Sequence, residues 1–236
     1  MKMKIYHVDA FTDTLFSGNP AAVCPVTGEW PEDSLLQKIA AENNLSETAF
    51  YLEKNGKYSI RWFTPAVEVD LCGHATLASA YVLFHHEQVQ GEVIDFESRS
   101  GPLQVKKEKD FFTLDFPADP PEKTPLTDEL RAGFNLRPIE VFKGKTDYLF
   151  IYPDEEAIAH LRMDLQNASR IQSRGIIVSA RGTNCDFVCR FFAPRCGINE
   201  DPVTGSAFTT LTPYWSRILG KQEMNAVQLS ARKGWV

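Results

Sequence analysis

Short runs rich in β-branched and aromatic residues, each bounded by turn residues, dominate the hydrophobic pattern and predict many short strands. In the first half they cover 4–11, 21–26, 48–53, 58–63, 93–98, 103–107 and 111–116. Ser17-Gly18-Asn19-Pro20 reads as a turn, Asn55-Gly56 as a two-residue hairpin, and the charged run 106–110 as a hairpin loop. After Pro31, residues Leu35, Leu36, Ile39 and Ala40 recur at helical spacing, which predicts a helix ending near Asn43-Asn44. A loop, 45–47, follows it. In the second half the strands are expected at 139–143, 147–152, 175–180, 186–192 and 227–230, with another at the Trp235-Val236 end. Helical pieces are expected at 155–161 and 165–170.

One unit of pattern occurs twice. Arg61-Trp62-Phe63-Thr64-Pro65 reads as an aromatic strand stopped by proline, and Cys72-Gly73-His74-Ala75 opens a helix with Leu77, Ala80, Tyr81 and Phe84 on one face. Arg190-Phe191-Phe192-Ala193-Pro194 repeats the strand end. Asp201-Pro202-Val203-Thr204-Gly205-Ser206-Ala207 then opens a second helix, 205–219, with Pro213 inside it. Small residues at a helix start leave its N–H groups open to an anion. The repeat reads as an internal duplication that sets two such helix starts across one cleft. Pro117, Pro120, Pro121 and Pro125 mark an extended linker, which places the boundary between lobes 1–117 and 118–236.

Composition narrows the classes. A formal net charge of −6 argues against a nucleic-acid backbone as partner. No signal-peptide core opens the chain, and the apolar run 75–84 is too short to span a bilayer, so the expectation is a cytoplasmic protein with no membrane partner. Five cysteines fit a reducing compartment. Cys185 and Cys189 would share one face of a strand, and the ligand spacing of a zinc site is missing, so no metal is expected. No Walker loop, GxGxxG, GxSxG or HExxH is present.

Three side chains carry the acid–base candidates. Glu47, in the loop before a strand, would gain a pKa nearer neutrality on burial and could then give and take protons; a plain surface glutamate is the alternative. His74 could shuttle a proton, donate a hydrogen bond or pack the helix start. Asp201 mirrors that turn in the second copy, or only complements a helix dipole. Cys72 at a helix N-terminus could be a thiolate base, but the mirrored turn offers no second cysteine, which ranks it as a packing residue or minor contributor. Backbone N–H groups at Gly73, Gly205 and Ser206 could hold a carboxylate and an enolate-like charge.

Gly18-Asn19-Pro20-Ala21-Ala22-Val23, Ser46-Glu47-Thr48-Ala49-Phe50, Cys72-Gly73-His74-Ala75-Thr76 and Glu200 to Ala207 together resemble the PhzF-like phenazine-biosynthesis family, over nearly the whole chain. The resemblance implies an α+β fold of the diaminopimelate epimerase kind. Its two pseudo-symmetric lobes would each be a curved mixed sheet or barrel wrapped around a central helix, with the active site between them. It implies an isomerase that works without a cofactor. Glu47 would be the general acid/base on a small carboxylated metabolite, and His74 and Asp201 the other catalytic positions. Asn19, Ser46, Cys72, Gly73, Gly205 and Ser206 would be substrate-binding. It also implies a homodimer, and relatives that continue past Val236, which would leave the second lobe shortened at its end. A thiol-dependent racemase using Cys72 and a non-catalytic ligand-binding protein on the same fold are the competing readings.

Overall fold

The computed structural model describes residues 2–236. Two compact units divide the chain: residues through Ala10 with Asn19–Phe116, and Phe11–Gly18 with Pro117–Val236. The loop Phe11–Gly18 goes with the second unit because it is tied to the end of the chain. Gly18 N donates to the Lys233 carbonyl, Trp235 N to the Phe11 carbonyl, and the Arg232 guanidinium to the carbonyls of Ser17 and Gly18.

The first unit contains β1 (Tyr6–Ala10), β2 (Asn19–Val26), α1 (Asp33–Asn43), β3 (Glu47–Lys54), β4 (Lys57–Phe63), β5 (Glu68–Val69), α2 (Gly73–His85), β6 (Val93–Ser98), β7 (Gly101–Glu108) and β8 (Phe111–Leu114). The sheet order is β1-β2-β3-β4-β6-β7-β8, with β5 paired to β4. Strand alternation sorts the side chains onto two faces. Ala21, Val23, Ala49, Tyr51, Ile60 and Trp62 pack with α2, while Cys24, Val26, Phe50, Leu52 and Phe63 pack with Leu36 and Ala40 of α1.

The second unit contains β9 (Glu122–Lys123), α3 (Asp128–Ala132), β10 (Glu140–Lys143), β11 (Asp147–Ile151), α4 (Glu155–His160), α5 (Leu165–Ala168), β12 (Gly175–Arg181), β13 (Phe187–Ala193), β14 (Ile198–Asp201), α6 (Phe208–Leu219), β15 (Ala226–Gln228) and β16 (Gly234–Trp235). Its sheet runs β16-β15-β13-β12-β11-β10-β9, with β14 on β13. Leu149, Ile151, Ile177, Phe187 and Cys189 pack with Leu211, Tyr214 and Trp215 of α6, and Phe150, Ile176, Val178 and Val188 with Leu130, Ile158 and Ala168 of the short helices.

The duplication is visible in the pairing sense. From β1 the first sheet pairs antiparallel, parallel (β2 with β3), antiparallel, then β4 with β5 antiparallel and with β6 parallel. From β10 the second repeats this series, β11 with β12 parallel, β13 with β14 antiparallel and with β15 parallel. The repeated Arg-x-Phe-x-Pro has a physical explanation. Residues two apart share a strand face, so Arg61 lies 5.1 Å over the Phe63 ring and Arg190 5.0 Å over the Phe192 ring. Each guanidinium then grips the glutamate of the short returning strand in a two-pronged bond: Arg61 to Glu68 at 2.7 and 2.8 Å, Arg190 to Glu200 at 2.7 and 2.9 Å. The grip holds the turn that leads to each helix.

Several local expectations change. Asn19 and Pro20 belong to β2, opposite Ala10 and Asp9, and the turn is confined to the residues before them. Glu47 is the first residue of β3, opposite Ala21 of β2, and lies outside the loop. The strand β7 runs on to Glu108, and Lys109 makes the tight turn with a φ of 59°. Cys185 precedes β13, so it shares no strand face with buried Cys189. Helix α1 starts at Asp33, two residues after Pro31. The second helix opens as a 3₁₀ turn over Gly205–Ala207 before α6. Helix α2 is buried on nearly all sides from Gly73 through Phe84; Tyr81, expected on its apolar face, is 38% exposed, and His85 at the helix end is exposed as well. Ala75, Ala78, Ser79 and Ala80 keep that helix thin enough for packing all round. No described helix is long and apolar enough to cross a membrane.

Candidate active site

In the first unit three chain segments bring polar groups to one buried point. The parallel pairing of β2 with β3 puts the starts of both strands at the same sheet edge, so Asn19 and Glu47 lie near each other. The β4–β5 hairpin then delivers the chain to Cys72, the extended residue before α2, and His74 sits in the first turn of that helix. No side chain caps this helix start. A side chain at position 73 would press on the Phe116 ring, 3.3 Å from an added Cβ, which favours the glycine there.

His74 is the hub. Its Nε2 lies 3.3 Å from Glu47 Oε2, with the two side chains 6% and 13% exposed. Its Nδ1 lies 3.4 Å from Asn19 Nδ2 and 3.5 Å from Cys72 Sγ. Burial pushes the imidazole pKa down from 6.5 to about 3, so the ring is neutral at pH 7 despite the neighbouring carboxylate. Ser46 is half-buried beside Glu47. The carboxylate, thiol and imidazole offer ligand atoms within 4.8 Å of one another.

In the second unit Asp201 ends β14, 8% exposed, and accepts a hydrogen bond from the Thr204 hydroxyl. Buried Gln228 secures the same turn from both sides. Its amide oxygen accepts from Thr204 N at 2.9 Å and its Nε2 donates to the Asp201 carbonyl at 2.6 Å. Gly205 and Ser206 follow in the 3₁₀ turn. Arg174 donates to the Ser206 hydroxyl at 3.0 Å while its other edge pairs with buried Asp147. Thus Asn19, Glu47, Cys72 and His74 form one group, and Asp201, Gly205 and Ser206 belong to another. Sequence reasoning missed Arg174, Asp147 and Gln228, whose sequence surroundings carry no motif; Thr204 lay within a quoted motif without a role.

The profile of the family described as "Phenazine biosynthesis-like protein" (PhzC-PhzF) matches residues 8–234. An uncharacterized isomerase of Pseudomonas aeruginosa is 50% identical over 234 residues, covering 99% of this chain and 90% of that protein. A crystal structure of a PhzF-family phenazine biosynthesis protein from Enterococcus faecalis superposes with a TM-score of 0.96 at 44% identity, covering 100% of this chain and 90% of that one. A predicted epimerase from P. aeruginosa shares the fold at a TM-score of 0.65 and 19% identity, covering 99% of this chain and 94% of that one. The pairing series repeated in two sheets is therefore the two-lobed α+β epimerase-type fold. With half its residues shared with a named isomerase over nearly all its length, the chain belongs to the phenazine biosynthesis-like family and is an isomerase.

Proposed function

We propose that this isomerase moves a proton on a small carboxylated metabolite by general acid/base catalysis at Glu47, without a cofactor. The observation that carries the reading is the buried Glu47–His74 contact at the start of an uncapped helix. A proton abstracted next to a carboxylate needs a positioned base and stabilisation of the charge left behind. Glu47 is the base. The open N–H groups at the start of α2, around Gly73, His74 and Ala75, are the stabilising donors. His74 Nε2 lies 3.3 Å from the carboxylate of the base. Asp201, with Gly205 and Ser206, is the second unit's candidate for catalysis and carboxylate holding, a role that rests on the family resemblance. Asn19, Ser46 and Cys72 are candidates to contact substrate on the same ground.

The second reading is a thiol-dependent racemase, favoured by the thiol of Cys72 lying 3.5 Å from the His74 ring. The residue before the corresponding helix start is Thr204, so the repeat supplies no second thiol for a two-base reaction. A screen of small carboxylated metabolites for solvent-deuterium incorporation identifies a substrate. On it, Glu47→Gln is expected to lower turnover by about 10²–10⁴-fold, the usual worth of a general base, and Cys72→Ala to cost far less. Near-normal turnover of Glu47→Gln beside an inactive Cys72→Ala would replace the glutamate mechanism by the thiol one. Absence of exchange on every metabolite would favour a non-catalytic binding protein. Homodimerisation and a cytoplasmic location belong to this reading, and light scattering at micromolar concentration tests the dimer.

A further inference from the structure

The three polar groups around His74 are of two chemical kinds, and they are sorted between the two ring nitrogens. At Nε2 stands Glu47 Oε2, an acceptor when ionised; at Nδ1 stand the Asn19 amide and the Cys72 thiol. A neutral imidazole carries one proton. If it sat on Nδ1, the bare lone pair of Nε2 would face the carboxylate, and Nδ1–H would face the amide nitrogen and the thiol. If it sits on Nε2, the ring donates to Glu47 and Nδ1 accepts from both neighbours. The same logic orients the Asn19 amide, whose oxygen and nitrogen are told apart only by their partners. With the ring proton drawn to the carboxylate, the amide must turn its NH₂ toward Nδ1.

We propose that Asn19 is a positioning residue that, with the Cys72 thiol, holds His74 as the Nε2–H tautomer, so that the ring donates to Glu47. The consequence for catalysis rests on the proposed role of Glu47. A His74 with bare Nε2 would be a second base competing for the proton that Glu47 is to carry. Held as a donor, the ring orients the carboxylate and leaves the exchanging proton to it. Cys72 acquires a task that needs its S–H and not a thiolate. Asn19 is suited to its own because it is fully buried at the first position of β2, held in register against Ala10. Glu47 and Cys72 are the titratable groups facing the ring, and both take part in the arrangement.

The test needs no substrate. In the full chain labelled with ¹⁵N-histidine, two-bond ¹H–¹⁵N correlations at neutral pH separate the tautomers, and His74→Gln assigns the signal among the five histidines. The expected result is a protonated, pyrrole-type Nε2 and a pyridine-type Nδ1. Asn19→Asp sets an acceptor against Nδ1 opposite the Glu47 acceptor at Nε2, and the ring is expected to carry a proton on both nitrogens, with two pyrrole-type signals. Asn19→Ser, which withdraws the amide without adding charge, is expected to give averaged tautomers and serves if the aspartate variant does not fold. A wild-type ring protonated on Nδ1 or averaged between tautomers would overturn the proposal, as would a wild-type pattern that persists in the folded variants. Once a substrate is identified, Asn19→Ser should lower kcat with little change in KM, whereas a KM effect alone would make Asn19 a substrate contact and refute positioning. The spectra are independent of turnover, so failure of the tautomer and failure of Glu47→Gln to lower turnover are separate results.

Discussion

Acidification should destabilise the first unit through His74. The imidazole is 6% exposed and its burial holds the folded pKa at about 3, against 6.5 for the unfolded chain. Between these values the unfolded chain binds a proton that the folded chain excludes, so stability falls as pH falls through the window from 6.5 toward 3 and is flat above it. Each unit of pH within the window costs about 1.4 kcal/mol, so going from pH 7 to pH 5, about 1.5 units of it, removes about 2 kcal/mol. The perturbation is the pH change combined with His74→Gln, whose amide can still reach Glu47 but does not titrate. The assay is urea unfolding at both pH values, followed by the indole resonances of Trp30 and Trp62, which report the first unit. The other histidines are common to both proteins, so the difference between the two pH dependences isolates His74. The wild type should lose about 2 kcal/mol more than the variant. Parallel losses would show that folding leaves the ring's affinity for a proton unchanged, and a smaller loss in the wild type would show a ring held protonated by Glu47; either would refute the neutral imidazole.

Two further outcomes test the second unit. Ser179→Ala removes the buried hydroxyl that accepts from Trp215 Nε1 at 2.9 Å and donates to the Val188 carbonyl at 2.7 Å, and urea unfolding followed by the Trp215 indole should show a loss of about 1–3 kcal/mol. Gly175→Ala would set a Cβ 2.2 Å from the Phe191 ring, which must move; a loss of about 1–3 kcal/mol is expected, and an unchanged unfolding midpoint would mean that the ring yields freely.

What the sequence determined by itself was local or repeated. The Asn55-Gly56 hairpin is there, with φ of 56° and 76°, because a two-residue turn of that hand requires those residues. The strand–turn–helix repeat was legible because an arginine, a phenylalanine two positions on and a proline recur together. The structure supplies the reason, a ring under each guanidinium and a glutamate gripped by it. The motifs around Asn19, Glu47, His74 and Asp201 were enough to name the family. Tertiary structure decided the rest. The strands β5 and β14 span two and four residues, too few for periodicity to register, and exist only because β4 and β13 offer them an edge. Glu47 became a strand residue when β3 found β2, and α2 became buried on nearly all sides when a sheet packed over its small residues, neither of which one-dimensional spacing can express. Only the fold brings Gln228 to Asp201, Arg174 and Asp147 to Ser206, and Asn19 to His74, since each pair joins positions far apart in the chain. The charge and the tautomer of one imidazole depend on such neighbours. Its residue type sets the starting pKa, and the depth of burial together with the donors and acceptor around the ring moves it from there.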